Sequence, residues 1–411
     1  MNRHYLFSAV LLLLLCCCQT RKEEENNDKK ELLVTTIPFP TQEGVKYGEP
    51  FLYSDVQGKT FLSWRESKNK VHQLRYATLE GDRWTDPQTI ATGDNWFVNW
   101  ADYPQLLSLS HGELLSFYLE KSGAAVYAYD IKMISSRDNW ESSSVLHDDG
   151  KQVEHGFVSM IPFDDNAFVA WLDGRNTIGE DNNHEDHTQH GHGGKGAMTL
   201  RGAIIDKEGN KKKEWELDAS VCDCCQTTTS MTDNGPVVIY RNRSVNEVRN
   251  INIVRYIDGE WTASTSIYDD NWKIKGCPVN GPRSDAMGNN LGIAWFAEVQ
   301  SQAEVKVIFS EDGGATFLPP VKINEGHTLG RVDLVMLDEN SAMVSWMEGA
   351  EILTRKVGKD GSLGPITVVA TSDEHRSSGF PQMSKSNDQL IFAWTDSRGP
   401  DSLIKTAKVD L

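Results

Sequence analysis

The sequence predicts an all-β chain folded as a single β-propeller, seven-bladed by its repeat count. A short apolar strand ending in an aromatic residue recurs seven times, followed each time by polar or charged residues. The recurrences are spaced by about one blade, and no stretch holds a 3.6-residue apolar period.

The first residues are expected to form a leader. Arg3 and His4 precede Leu6 to Leu15, an apolar run of ten residues interrupted only by Ser8. Such a run is too short to span a bilayer as a mature helix but suits the core of a signal peptide. Cys16, Cys17 and Cys18 follow directly, and a run ending Leu-Leu-Cys resembles the lipobox of bacterial lipoproteins. Residues 1–18 are therefore expected to be a signal peptide with its lipidation site, and 19–31 a solvated tether, since nearly every residue there is polar or charged. The acidic Glu23-Glu24-Glu25 in the tether resembles the export signals of some surface lipoproteins of the Bacteroidetes group. The expected location is extracytoplasmic, on an outer membrane and exposed at the cell surface, held by lipid.

Residues 32–411 carry the repeats. The aromatic anchors are Trp64, Tyr118, Trp171, Tyr240, Trp295, Trp346 and Trp394, giving five intervals of 48 to 55 residues and one of 69. The long interval contains a polar insertion, 182–194. A string of β-sandwiches would need about 100 residues per core, so a unit near 50 residues matches a propeller blade. After Trp394 only one further strand fits, Leu403 to Val409, so the last blade lacks its outer strand. Leu32 to Ile37 is positioned to supply it, closing the ring and covering exposed edges.

Ser310-Glu-Asp312-Gly-Gly314-Ala-Thr316-Phe317 fits the pattern S-x-D-x-G-x-T-[W/F], and Ser136-Arg-Asp138-Asn-Trp140 is a degenerate copy. On this motif the sequence resembles the sialidase superfamily, propellers with repeated Asp boxes. Segments around Trp171–Arg175, Val221–Gln226, Tyr240–Arg243 and Gly276–Gly281 are similar to exported bacterial proteins grouped with the exo-α-sialidases. The resemblance implies glycan binding or glycoside hydrolysis. It departs from true sialidases at two points. Their Arg-Ile-Pro segment is missing, the first blade beginning Tyr47-Gly-Glu-Pro50, and they have six blades, the alternative to the seven counted here.

In a propeller, the turn leading into each inner strand and the turn after each second strand open on one face. That face should carry the charged residues after the anchors: Arg65, Glu66, Glu120, Asp173, Arg175, Arg241, Arg243, Glu298, Glu348, Asp396 and Arg398. Asp173, Arg175, Arg241, Arg243, Glu298, Asp396 and Arg398 are the candidate catalytic set, arginines to clamp a carboxylate and carboxylates to act as acid and base. The competing reading is that pairs such as Asp173/Arg175 and Asp396/Arg398 lock loops. Trp96 and Trp100 suit either stacking on a sugar or the core.

The same face should gather Cys222, Cys224 and Cys225, Cys277 in the next blade, and His184, His187, His190 and His192 of the insertion. Thiolate and imidazole are ligands for copper or zinc, so a metal-binding propeller without hydrolase activity is the second functional reading. Disulfides are the alternative state of these cysteines outside the cytoplasm. The net charge of −18 excludes a nucleic-acid partner and adsorption to anionic lipid. A monomer with a glycan or small ligand at its face is expected.

Overall fold

The computed structural model describes residues 32–177 and 196–411. They form seven antiparallel sheets arranged as the blades of one ring. The inner strands, in order, are Lys46–Ser54, Leu106–Ser108, His155–Phe163, Thr228–Thr232, Arg283–Met287, Thr328–Asp338 and Gln382–Ser386. Each is followed by a second strand ending just beyond its aromatic anchor and then by a third; in blades 1 to 6 an outer strand follows, 11 residues long in blade 3 and short in the others. Two 3-10 turns, Ser136–Asp138 and Arg376–Ser378, are the only helical elements among the described residues.

The last blade is completed from the N-terminal side. Val34–Ile37 pairs antiparallel with Leu403–Asp410, aligning Val34 with Val409 and Ile37 with Thr406. Thr406 Oγ1 donates to Ile37 O at 2.8 Å and accepts from Trp84 Nε1 of blade 1 at 3.1 Å, so one buried hydroxyl joins the first and last blades. The N-terminal segment thus removes the edge that blade 7 would otherwise expose.

The anchors sit between the sheets. Trp64, Trp171, Trp295, Trp346 and Tyr240 are each at most 1% exposed. A buried indole must satisfy its N–H. Trp64 donates to Glu66, Trp171 to Asp173 and Trp346 to Glu348, each two residues on and each at 2.9 Å. Trp295 uses Asp270 at 2.6 Å instead. The Trp394 indole N–H makes no hydrogen bond.

Inner strands of neighbouring blades splay apart and share no ladder, so side chains join them. Asp102 Oδ1 accepts from Phe157 N at 2.8 Å, Asp285 Oδ2 from Met336 N at 2.7 Å, and Asp333 Oδ2 from Met383 N at 2.7 Å. Bulges kink the inner strands of blades 1, 3 and 6 at their starts, between Gly48 and Phe51, Gly156 and Ser159, and Gly330 and Asp333. Glu49, Phe157 and Arg331 in those bulges have φ of 51°, 53° and 52°, a left-handed backbone uncommon outside glycine.

Candidate functional site

The turn leading into an inner strand lies beside the end of the second strand, as His155 aligns with Asp173 and Thr328 with Glu348. One face therefore carries all seven such turns, and the sequence-derived candidates in the described residues lie on it.

The cysteines converge. Cys222, Cys224 and Cys225 occupy the turn between the outer strand of blade 3 and the inner strand of blade 4, with Cys222 N bonded to Arg241 O at 2.9 Å. Their three sulfurs lie within 4.8 Å of one another, with Cys222 and Cys225 3.6 Å apart. Cys277, from the turn into blade 5, interacts with the Cys224 thiol. Cys222, Cys224 and Cys225 are free thiols; Cys222 and Cys225 are buried, Cys224 is half-buried and Cys277 is exposed. Burial opposes ionisation of Cys225. Hydrogen bonds with Cys222 and Cys224, the Arg241 charge and the Asn280 N–H outweigh it, and hold this thiol well below its ordinary pKa. Hydrogen bonds to Cys222, Cys225 and Cys277 push Cys224 well up. His184, His187, His190 and His192 lie outside the described residues.

The candidate catalytic residues are placed as follows. Arg175 grips Asp173 bidentately, Nε to Oδ1 at 2.8 Å and Nη2 to Oδ2 at 2.7 Å. Burial raises the Asp173 carboxyl, but the Arg175 bonds and the Trp171 N–H outweigh it and hold it at about 2. Arg398 grips Asp396 in the same way, both bonds at 2.8 Å. Arg243 is held by Asp223 at 2.9 Å and by Glu247 at 2.9 Å. Arg241 is 1% exposed, and its bonds go to the carbonyls of Asn280, Arg249 and Phe296, with Trp272 under its plane at 5.0 Å. Glu298 is exposed. Four arginines are thus engaged within the protein, and the geometry of Asp173/Arg175 and Asp396/Arg398 is that of loop locks.

A second group at the channel mouth was not singled out from the sequence, Trp96 and Trp100 aside. Trp100 is half-buried and stacks on Phe380, centroids 5.4 Å apart and planes 14° apart. The guanidinium carbons of Arg331 and Arg376 lie 5.2 and 5.8 Å from its ring centre. Arg331 is tied to Ser378 Oγ at 2.6 Å and to the Glu374 and His375 carbonyls, while Arg376 is exposed. Tyr127, 43% exposed, faces Glu154, Cys277, Arg376 and Cys224. Below it, the Tyr129 hydroxyl lies 2.7 Å from Asp102 Oδ2 and 3.2 Å from Glu154 Oε1. Burial, reinforced by Asp102, pushes the Glu154 carboxyl to about 8, and burial pushes Asp102 to about 7. Both carboxyls thus keep protons to a higher pH than ordinary carboxyls do. Beside them, a cavity of about 480 Å³ opens between blades 1 and 2, lined by His72, Trp96, Phe97, Val98, Lys121 and Val126. Phe97 joins cavity and mouth, stacking on Tyr129 at 3.9 Å and meeting Tyr127 edge-on at 6.1 Å. Only the polarity of scattered residues marks this group in the sequence, because ring closure brings together positions from 72 to 380.

The turn Ser310–Phe317 joins the third and outer strands of blade 5. Asp312 Oδ1 accepts from Ala315 N and Thr316 N, both at 2.9 Å, and Oδ2 from Thr316 Oγ1 at 2.6 Å. Its work is local, and it lies away from the channel mouth.

The fold defines the class: this is a seven-bladed β-propeller. No family model matches the sequence, and no curated protein matches it significantly. Among solved structures it is similar to a protein of unknown function from Dyadobacter fermentans DSM 18053, 14% identical over 92% of this chain and 98% of that one, TM-score 0.51. It is similar to the polysaccharide lyase Uly1, 7% identical over 92% of this chain and 97% of that one, TM-score 0.50. The endosialidase of phage phi92 aligns over 93% of this chain and 69% of its own at 9% identity, TM-score 0.49. At these identities the likeness is one of fold, and function has to be argued from the site.

Proposed function

We propose that the protein binds an acidic glycan at the channel mouth. The observation that carries this reading is the pairing of Trp100 with exposed Arg376, beside exposed Tyr127 and the Glu154 carboxyl, which burial pushes up to about 8. Aromatic faces pack against sugar C–H faces, and a free guanidinium takes a carboxylate or sulfate bidentately. A carboxyl that keeps its proton at neutral pH is suited to general-acid work on a glycosidic oxygen. Solved propellers with this fold include a polysaccharide lyase and an endosialidase, which fits a glycan ligand. In this reading the arginine that meets the ligand is Arg376, since Arg175, Arg241, Arg243 and Arg398 are engaged elsewhere. The test is binding of the domain to sialylated, uronate-bearing and sulfated oligosaccharides, with turnover assayed in parallel. Loss of binding in Arg376→Ala supports the reading, and absence of binding to every acidic glycan overturns it.

A second reading has its own observation: the sulfurs of Cys222, Cys224 and Cys225 lie within 4.8 Å of one another, and Cys277 of the next blade interacts with the Cys224 thiol. We propose that Cys222, Cys224, Cys225 and Cys277 hold a soft metal ion, copper(I) or zinc. Buried Arg241, whose bonds all go to carbonyls, offsets part of the thiolate charge. Thiol titration and elemental analysis of tag-free protein decide it. Metal lost in Cys224→Ser supports it, and two disulfides without metal overturn it. We further propose that the chain is an exported lipoprotein acylated at one of Cys16, Cys17 or Cys18. Mass spectrometry of the mature N-terminus tests this, and an unmodified terminus beyond residue 18 overturns it.

A further inference from the structure

The cavity between blades 1 and 2 opens on the same face as the glycan mouth, and nothing assigned so far uses it. Three segments build it: His72 at the start of the third strand of blade 1, residues 96–98 after its outer strand, and residues 121–126 after the second strand of blade 2. Its volume, about 480 Å³, lies within the range of about 300–1,000 Å³ usual for small-molecule sites. Trp96, Phe97, Val98 and Val126 make its wall mainly apolar, with Val98 39% and Val126 71% exposed. Single exposed apolar side chains need no explanation, but several gathered around one opening mark a binding surface.

Two polar side chains interrupt this wall, and both are donors. Lys121 is exposed and makes no ion pair among the described residues. Carboxylates on the flanking strands are engaged elsewhere: Glu49 by Arg65, Glu66 by the Trp64 N–H at 2.9 Å, and Glu120 by Lys132 at 3.2 Å. His72 is oriented by a chain of hydrogen bonds. Arg65 Nη2 donates to Glu49 Oε1 at 2.9 Å, Arg65 Nη1 donates to Ser67 Oγ, and Ser67 Oγ lies 2.7 Å from His72 Nδ1. Because the Ser67 oxygen accepts from Arg65, its own hydrogen is directed at Nδ1, which assigns the ring hydrogen to Nε2. Burial and the charges of Arg65 and Lys121 outweigh Glu49 and hold this imidazole below its ordinary pKa, so it is neutral at neutral pH. Its Nε2 makes no hydrogen bond among the described residues. Stacking on Trp96, with centroids 6.0 Å apart and planes 15° apart, holds the ring further.

Cavity and mouth share a wall. Val126 lines the cavity, and Tyr127, the next residue, faces Arg376. Phe97 lines the cavity and meets Tyr127 edge-on. Trp100 follows Phe97 by three residues, at most about 11 Å of extended chain.

On the basis of the acidic-glycan reading, we propose that this cavity is a second subsite for the same ligand, which is therefore a polyanionic oligosaccharide. One acidic unit lies over Trp100 and Arg376. A further unit enters the cavity, its carboxylate or sulfate on Lys121 Nζ and His72 Nε2 and its C–H face against the aromatic wall. An apolar cavity alone would take any hydrophobe. An ammonium without a counter-ion beside an N–H donor selects an anion, as the mouth does.

The test is titration of the protein with oligogalacturonates, oligosialic acids and heparin oligosaccharides, each graded in length from the shortest acidic unit. Affinity should rise at least about tenfold from the shortest to the longer members of the series that binds, as for two linked contacts. Lys121→Ala should remove that rise and leave the affinity of the shortest member unchanged. Val126→Trp, which fills the cavity from an exposed position, should do the same. Arg376→Ala should weaken every length. Affinity that does not rise with length in the parent overturns the second subsite and leaves the mouth reading standing. So does a rise that survives both Lys121→Ala and Val126→Trp in folded protein. Absence of binding at every length in all three series overturns both.

Discussion

The Trp171 indole N–H donates to Asp173 Oδ2 at 2.9 Å, and the same oxygen accepts from Arg175 at 2.7 Å. One buried carboxylate thus satisfies the anchor of blade 3 and fixes the turn that leaves it. Asp173→Asn keeps one acceptor but removes the bidentate counter-charge of the guanidinium, leaving Glu214 Oε1 at 3.3 Å as its nearest carboxylate. The expected loss is about 3–5 kcal/mol of unfolding free energy, as for one side of a buried ion pair. Chemical denaturation measures it, with Asp396→Asn, an exposed pair, expected to cost under about 1 kcal/mol.

The blade-to-blade closure makes a second prediction. Thr406 Oγ1 joins Ile37 O and Trp84 Nε1. Thr406→Val strands two buried polar groups, at about 1–3 kcal/mol each. Removing residues 32–37 should cost more, because blade 7 then exposes an edge. The expected readout is loss of a single cooperative melt together with concentration-dependent aggregation.

Titration of the buried carboxyls gives a third. Asp102, raised from 3.8 to about 7, and Glu154, raised from 4.5 to about 8, bind more protons folded than unfolded between those values. Their contribution is fully present below about pH 4 and is lost as pH rises through 7 and 8. Asp173, lowered to about 2, contributes above its unfolded pKa and loses that as pH falls toward 2. Unfolding free energy should therefore decline from pH 5 to 8, and Asp102→Asn should flatten the decline. An unchanged slope in a folded Asp102→Asn protein would count against the assignment.

The turn around Asp312 gives a fourth. Its carboxylate holds Ala315, Thr316 and the Thr316 hydroxyl. Asp312→Ala should destabilise by about 1–2 kcal/mol, as for loss of a capping side chain, and leave ligand binding at the opposite end of the blade unchanged.

The fold was legible because each blade repeats a physical requirement, an aromatic wedge between sheets followed by polar residues. Even the ring closure could be read, since a final blade one strand short needs a partner and Leu32 to Ile37 was the segment left over. The convergence of Cys222, Cys224, Cys225 and Cys277 was legible for the same reason: equivalent turns of adjacent blades share a face. What the charged residues after the anchors do was less legible. A carboxylate two residues beyond a buried tryptophan serves the indole, as at Glu66, Asp173 and Glu348, and that spacing was open to reading in the sequence. The mouth around Trp100, Tyr127, Glu154 and Arg376 was not, because its residues come from separate blades and share no motif.

The central claim is that an acidic glycan docks over Trp100 and Arg376. Its most direct test is calorimetric titration of the soluble domain, residues 32–411, with acidic oligosaccharides, run beside Trp100→Ala and Arg376→Ala. The account predicts measurable binding that each substitution weakens by at least about tenfold, roughly 1.4 kcal/mol, with neutral oligosaccharides silent. Binding that survives both substitutions in folded protein, or binding only to neutral sugars, would contradict it.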